Sequence, residues 1–151
     1  MAFLLGFSAH RCVGISITKE LYFGVIDVSK RNSVLIVDDD ASILLELNSI
    51  LKSEYKILVV KDGESALEVA SEFTPDLILL DVLMPDMDGY EVLRRLKRTD
   101  KTKEIPVIFI TGIKAEDSGV NWSSIGAVDY INKPFDGLDV RHRVREQLCR
   151  A

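Results

Sequence analysis

Leu77-Ile78-Leu79-Leu80-Asp81-Val82-Leu83-Met84-Pro85-Asp86-Met87-Asp88-Gly89 is the stretch whose reading decides the fold. An unbroken apolar run ends in a carboxylate, and a loop bearing Pro85 and Gly89 follows at once. A short apolar run bounded by turn residues predicts a strand buried on both faces, as in a parallel sheet covered by helices. Asp81 then stands at the carboxyl end of a central strand, the edge at which open α/β sheets bind ligands. A carboxylate buried there without partners costs several kcal/mol, so the sequence has to supply them. Three other apolar runs do. Val34-Leu35-Ile36-Val37 leads into Asp38-Asp39-Asp40, Val107-Ile108-Phe109-Ile110 into Thr111-Gly112, and Tyr130-Ile131-Asn132 into Lys133-Pro134.

Outward from these strand ends, helical patterns alternate with the apolar runs. Asp40 is the expected N-cap of a helix beginning near Ala41, whose apolar face is Ile43, Leu44, Leu47, Ile50 and Leu51. Lys56 to Val60 predicts the second strand, and Asp62-Gly63 turns the chain into a helix presenting Ala66, Leu67, Ala70 and Phe73, stopped by Pro75. A third helix carries Tyr90, Val92, Leu93 and Leu96, and Ile105-Pro106 opens the fourth strand. A helix is expected from about Glu116 to Ile125, although Gly119, Asn121, Ser123 and Ser124 form helix poorly. The last runs from about Asp136 to Cys149 and places Val140, Val144 and Leu148 four residues apart. Five strands alternating with five helices through right-handed crossovers predict a three-layer α/β/α sandwich, a doubly wound parallel sheet of order 2-1-3-4-5.

The chain has 151 residues, which suits one domain plus an extension. A 47% hydrophobic content and a mean hydropathy of +0.13 describe a filled globular core. The formal charge of −5 and pI near 5.1 argue against direct nucleic-acid binding, which relies on clustered cations. The two basic stretches, Arg94 to Arg98 and Arg141 to Arg145, are read as cations toward the C-terminal ends of helices, where the macrodipole favours them. Cys12 and Cys149 have no metal-ligand spacing and fit a reduced cytoplasm. No apolar run reaches the roughly 18–20 residues that span a bilayer, so no membrane role is expected. Residues 1–32 lack the regular alternation. Ile15 to Thr18 alternates like a strand, and Leu21 to Ile26 is an apolar run expected to pack on the domain or on a second copy, unless the segment is a loose leader.

Val37-Asp38-Asp39-Asp40, Asp81 with Met84-Pro85-Asp86-Met87-Asp88-Gly89-Tyr90, Thr111-Gly112, Gly126-Ala127 and Lys133-Pro134-Phe135 occur in the order of one family. From residue 33 to about 150 the chain resembles the receiver domain of bacterial two-component response regulators, leaving 1–32 as an extension of unassigned role. The resemblance implies a flavodoxin-like (βα)5 fold, and it implies roles. Asp81 matches the phosphoacceptor. Asp38 and Asp39 match the acidic pair that holds Mg2+, with Asp81 and the main-chain carbonyl of Leu83. Lys133 matches the lysine that pairs with the acceptor and then with its phosphoryl group, with a cis bond to Pro134 expected. Thr111 and Tyr130 match the hydroxyl and aromatic of the conformational switch, and Trp122 and Ile125 are expected on the surface it remodels. Independently of the family, phosphoryl transfer requires a nucleophile, a divalent cation and a fixed positive group around the equatorial oxygens.

The implied partners are a sensor histidine kinase or histidine phosphotransfer protein, a downstream output domain or protein reached through the surface of the helix expected near Glu116 to Ile125, the last strand and the last helix, and a second copy through that same face. The chain stops near the end of its last helix, which fits a stand-alone regulator or one piece of a longer protein. Leu83 and Ile113, two residues beyond Asp81 and Thr111, are both apolar, and the resemblance implies that they flank the path of a hydrolytic water. A different class was weighed. Asp38 and Asp40 form a D-x-D at a strand end, as in haloacid-dehalogenase-like phosphatases, but that scheme has no place for Asp81 and needs a later acid pair that is missing here.

Overall fold

The computed structural model describes residues 31–150. The readings that fall earlier, including Cys12, the strand-like Ile15 to Thr18 and the apolar run from Leu21, lie outside the described residues. Cys149, which is described, is disulfide-bonded, against the reduced state expected for it.

The elements are β1 (Ser33–Val37), α1 (Ala41–Leu51), β2 (Lys56–Val60), α2 (Gly63–Phe73), β3 (Leu77–Asp81), α3 (Gly89–Arg98), β4 (Val107–Thr111), α4 (Ala115–Ser118), β5 (Asp129–Asn132) and α5 (Gly137–Arg150). All the strands are parallel, in the order β2-β1-β3-β4-β5. Successive residues of a strand point to opposite faces, and the core divides accordingly. On one face Leu35, Ile78, Leu80 and Phe109 pack against Ala66 and Ala70 of α2 and Val92, Leu93 and Leu96 of α3. On the other, Val34, Ile36, Leu79, Ile108 and Ile131 pack against Leu44, Leu47 and Leu51 of α1 and Val140, Val144 and Leu148 of α5. Each fully buried Leu or Ile contributes roughly 2 kcal/mol.

Four helices start by the same device, α5 among them, where Asp136 accepts from the Leu138 amide at 2.7 Å. Asp40 accepts from the Ser42 amide at 2.8 Å, Asp62 from Ser65 at 2.8 Å and Asp88 from Glu91 at 2.9 Å. Each carboxylate satisfies an orphan amide and complements the positive helix end. Asp40 and Asp88, embedded in the two acidic motifs, are thereby explained as caps.

Four further expectations change. The helix expected from Glu116 to Ile125 is a single turn, Ala115–Ser118, because Gly119 takes the left-handed conformation (φ 62°) and ends it. Residues 119–128 continue as turns, and Gly126 is again left-handed at φ 98°. Trp122, expected at the surface, is 8% exposed and belongs to the core. Phe73, expected on the buried face of α2, is exposed at the helix end, one residue before a left-handed Thr74. The cations from Arg141 to Arg145 lie in the body of α5, away from its C-terminal end. There Arg141 donates to the Ile50 carbonyl, Arg143 pairs with Asp129 and Asp139, and Arg145 pairs with Glu54.

The loop after β3 is anchored by Gly89. Its amide donates to the Val82 carbonyl at 2.9 Å, and a Cβ there would fall onto the carbonyl oxygen of Asp81 and lie 2.9 Å from Val82 Cα. Only a residue without a side chain allows α3 to start this close to Asp81. Gly89→Ala should therefore destabilise the domain by about 2–3 kcal/mol in urea denaturation, the cost of forced overpacking against backbone. Gly112→Ala, where a Cβ meets nothing within 4 Å, should be near neutral.

Candidate functional site

Strand register assembles the site. Val37 of β1 pairs with Leu80 of β3, so Asp38 lies beside Asp81, while Thr111 of β4 pairs with Asn132 of β5, next to Lys133. Residues far apart in sequence thus share one sheet edge.

The carboxylates of Asp38, Asp39 and Asp81 offer one oxygen each, and these atoms lie within 4.8 Å of one another. Asp38 is 1% exposed and Asp81 4%, while Asp39 is exposed. Lys133 Nζ lies 2.7 Å from Asp38 Oδ2 and 3.4 Å from Asp81 Oδ1. The lysine expected to pair with Asp81 thus bridges both buried acids and sits closer to Asp38. The other Asp38 oxygen accepts from the Asp40 amide at 2.9 Å. Asp39 makes no hydrogen bond or ion pair among the described residues. The bond between Lys133 and Pro134 is cis, as expected.

Burial raises the pKa of Asp81 above its ordinary value, and the neighbouring Asp38 charge raises it further; the Lys133 ammonium and the Leu83 amide oppose this without cancelling it. Burial also works against the charge of Lys133, but its bonds and charge interactions with Asp38 and Asp81 outweigh that, so its pKa is raised. Three acids facing one ammonium leave an excess of negative charge. Clustered hard oxygens short of positive charge suit a small divalent cation.

Thr111 is fully buried, and its Oγ1 accepts from the Ile113 amide at 3.0 Å. Its carbonyl accepts from the Lys133 amide at 2.8 Å, tying the ends of β4 and β5 together. Leu83 is 59% exposed beside the site, and Ile113 packs in part against the core. Asp40, committed to capping α1, does not join Asp38 in a D-x-D pair.

One cluster was not foreseen. Trp122 stacks on Tyr130 with ring centroids 5.6 Å apart and on Tyr90 at 6.0 Å, and Phe109 meets it edge-on at 5.4 Å. Its indole N–H is buried with no hydrogen-bond partner. A single tryptophan in a stretch of poor helix formers gave no periodic pattern from which this packing could be read.

The raised pKa of Asp81 has a definite sign. The folded state holds the Asp81 proton more tightly than the unfolded chain, so this group's contribution is fully present below the unfolded carboxylate pKa and is lost as pH rises through the folded one. At neutral pH ionised Asp81 therefore weakens the fold. Without metal, Asp81→Asn should melt above the parent at pH 7, and the gap should close on acidification. Mg2+ should raise the melting temperature of the parent and have little effect on Asp38→Asn, both followed by thermal denaturation.

Comparison with known proteins agrees with this geometry. The family model of the response regulator receiver domain matches residues 34–145. The chain is 38% identical over 113 residues to the response regulator PleD of Caulobacter vibrioides, covering 74% of this chain and 25% of PleD. It is 36% identical over 120 residues to the DNA-binding dual master transcriptional regulator RpaA of Synechocystis, covering 78% of this chain and 49% of RpaA. The chain thus spans half or less of the length of these curated relatives. Among solved structures, the chemotaxis protein CheY4 of Vibrio cholerae superposes with a TM-score of 0.72 at 26% identity, covering 77% of this chain and 98% of CheY4. A CheY-like receiver domain protein of Methanospirillum hungatei gives a TM-score of 0.72 at 29% identity, covering 78% and 94%. Nothing in these comparisons supports a haloacid-dehalogenase-like phosphatase. The chain belongs to the response regulator receiver domain family.

Proposed function

We propose that Asp81 is the phosphoacceptor of this receiver domain and takes its phosphoryl group from the phosphohistidine of a sensor histidine kinase or histidine phosphotransfer protein. The observation that carries this is the Lys133 ammonium bridging Asp38 and Asp81 within a cluster of three carboxylates. A carboxylate oxygen of Asp81 attacks phosphorus while the P–N bond to the histidine breaks. The electron pair of that bond goes to the imidazole, which takes up a proton as it leaves. Lys133 follows the equatorial oxygens as a point charge, and the Thr111 hydroxyl donates to one of them. Asp38, Asp39, Asp81 and the Leu83 carbonyl are the residues to hold Mg2+, which when bound supplies positive charge to the phosphoryl oxygens.

On this reading residues 33–150 are a signalling domain that promotes its own phosphorylation and dephosphorylation and turns over no other substrate. Residues 1–32 are a separate extension, and the setting is cytoplasmic. Among the described residues no helix is long and apolar enough to cross a membrane. The bond from the phosphoryl group to Thr111 is a contact that exists in one state only, as a two-state switch requires. Tyr130 carries it to the α4-β5-α5 surface, where an output domain, a target protein or a second copy docks. Leu83 and Ile113 cannot position a water by hydrogen bonding, so the phosphorylated state decays slowly.

Incubation with a small acyl phosphate and Mg2+ should add one phosphoryl group by intact mass. Asp81→Asn or a chelator should abolish the gain, and its persistence in either case would refute the assignment. Replacing Leu83 by Asn and Ile113 by Glu together should speed phosphate release several-fold. Release at the parent's rate would show that these side chains do not govern access of water. On phosphorylation, amide exchange should change in 115–132 and α5 while α1 stays as it was.

A further inference from the structure

A cavity of about 540 Å³ opens between α3 and the segment that follows α4, away from the carboxylate cluster. Tyr90, Arg94, Lys97 and Arg98 line it from α3, and Val120 and Ile125 from the segment after α4, so apolar side chains and cations share one cavity. Its size is within the range of pockets that take ligands or anchoring side chains.

The charges around it are unevenly matched. Arg94 and Arg95 share the carboxylate of Glu91, which they hold down to a pKa of about 2, and Arg95 also reaches Glu64 at 3.4 Å. The Lys97 ammonium donates to the carbonyls of Lys103 at 3.0 Å and Ile105 at 2.9 Å, neutral groups that orient it without cancelling its charge. Arg98 is exposed and makes no ion pair or hydrogen bond among the described residues. A chain with a formal charge of −5 thus gathers three cations beside apolar side chains, of which Arg94 is paired with Glu91 while Lys97 and Arg98 face no carboxylate in an ion pair among the described residues.

From this complementarity we infer that the cavity is a docking site for an acidic peptide segment of a partner protein, with an apolar side chain anchored against Tyr90, Val120 and Ile125. Carboxylates on the segment face Arg94, Lys97 and Arg98. An acidic segment is repelled by most of this domain and attracted here, so charge fixes its place while the anchor supplies buried area. A nucleic acid would meet the same cations but would have to cover the apolar side chains and approach a net acidic surface. Binding is read without labels, because Tyr90 lines the cavity and also stacks on Trp122, the chain's only tryptophan.

The inference does not rest on the phosphoacceptor reading and is tested on unphosphorylated protein. An unbiased library of twelve-residue peptides displayed on phage is selected on the immobilised full chain, and the enriched sequences are synthesised and titrated with Trp122 fluorescence as readout. The expected result is acidic sequences with at least one large apolar residue, whose affinity falls about tenfold or more for Arg98→Glu and, separately, for Ile125→Asp. For Arg98→Glu, changing the peptide's acids to lysine should restore binding. No enrichment, enrichment of neutral or basic peptides, or binding indifferent to both substitutions would overturn the proposal. So would Arg98-dependent binding of ADP with no peptide enriched, since the cavity would then be a small-anion site. Phosphorylation of the same wild-type sample, followed by mass, separates failure here from failure at Asp81.

Discussion

A shortage of positive charge at one edge of the sheet is the constraint on which the rest depends. Asp38, Asp39 and Asp81 crowd their oxygens within 4.8 Å, two of the three are buried, and one ammonium faces them. Left to themselves these groups would separate. They are held together because β1, β3, β4 and β5 are locked in register by apolar layers on both faces, including Leu35, Leu80 and Phe109 on one side and Ile36, Leu79 and Ile108 on the other. Burial of those side chains supplies the free energy that the site opposes. The strain shows in the raised pKa of Asp81, the kind of perturbation expected where a protein arranges groups for chemistry.

The same edge explains the loops. The chain leaves β3 through a loop that Gly89 keeps tight against the Asp81 carbonyl. Thr111 and Lys133 are tied by a backbone bond, so a change at one strand end is felt at its neighbour. Beyond them the stack of Tyr130, Trp122 and Tyr90 links β5 to α3 through the region with the least helix. The buried indole N–H without a partner means that this packing is not the best available to Trp122 in every respect. A segment of turns is better able to rearrange than a regular helix would be.

Most of the site was legible because it is built at the ends of apolar runs. Runs such as Leu77 to Leu80 announce strands by composition, and the polar residue that ends each one is placed by the fold class alone, so Asp38, Asp81, Thr111 and Lys133 could be put on one edge before any coordinates. The caps were legible in part, since Asp40 was assigned and Asp88 was not. Apart from Phe73, Cys149 and the cations of α5, what failed lies in 115–128. Glycines at 119 and 126 adopt left-handed conformations that break the expected helix, and the burial of Trp122 depends on partners on α3, β4 and β5 that no local pattern reveals. The preference of Lys133 for Asp38 is likewise a matter of tenths of an ångström, which spacing in sequence cannot carry.

The claim that this charge arrangement exists to receive a phosphoryl group at one particular carboxylate is tested most directly by trapping the product. The domain is phosphorylated with a small acyl phosphate and Mg2+, reduced with borohydride so that an aspartyl phosphate becomes homoserine, digested, and sequenced by mass spectrometry. The account predicts homoserine at position 81 alone and none when Mg2+ is chelated. Homoserine at position 38, 39 or 40, or an unmodified chain under conditions in which Mg2+ stabilises the fold, would contradict it.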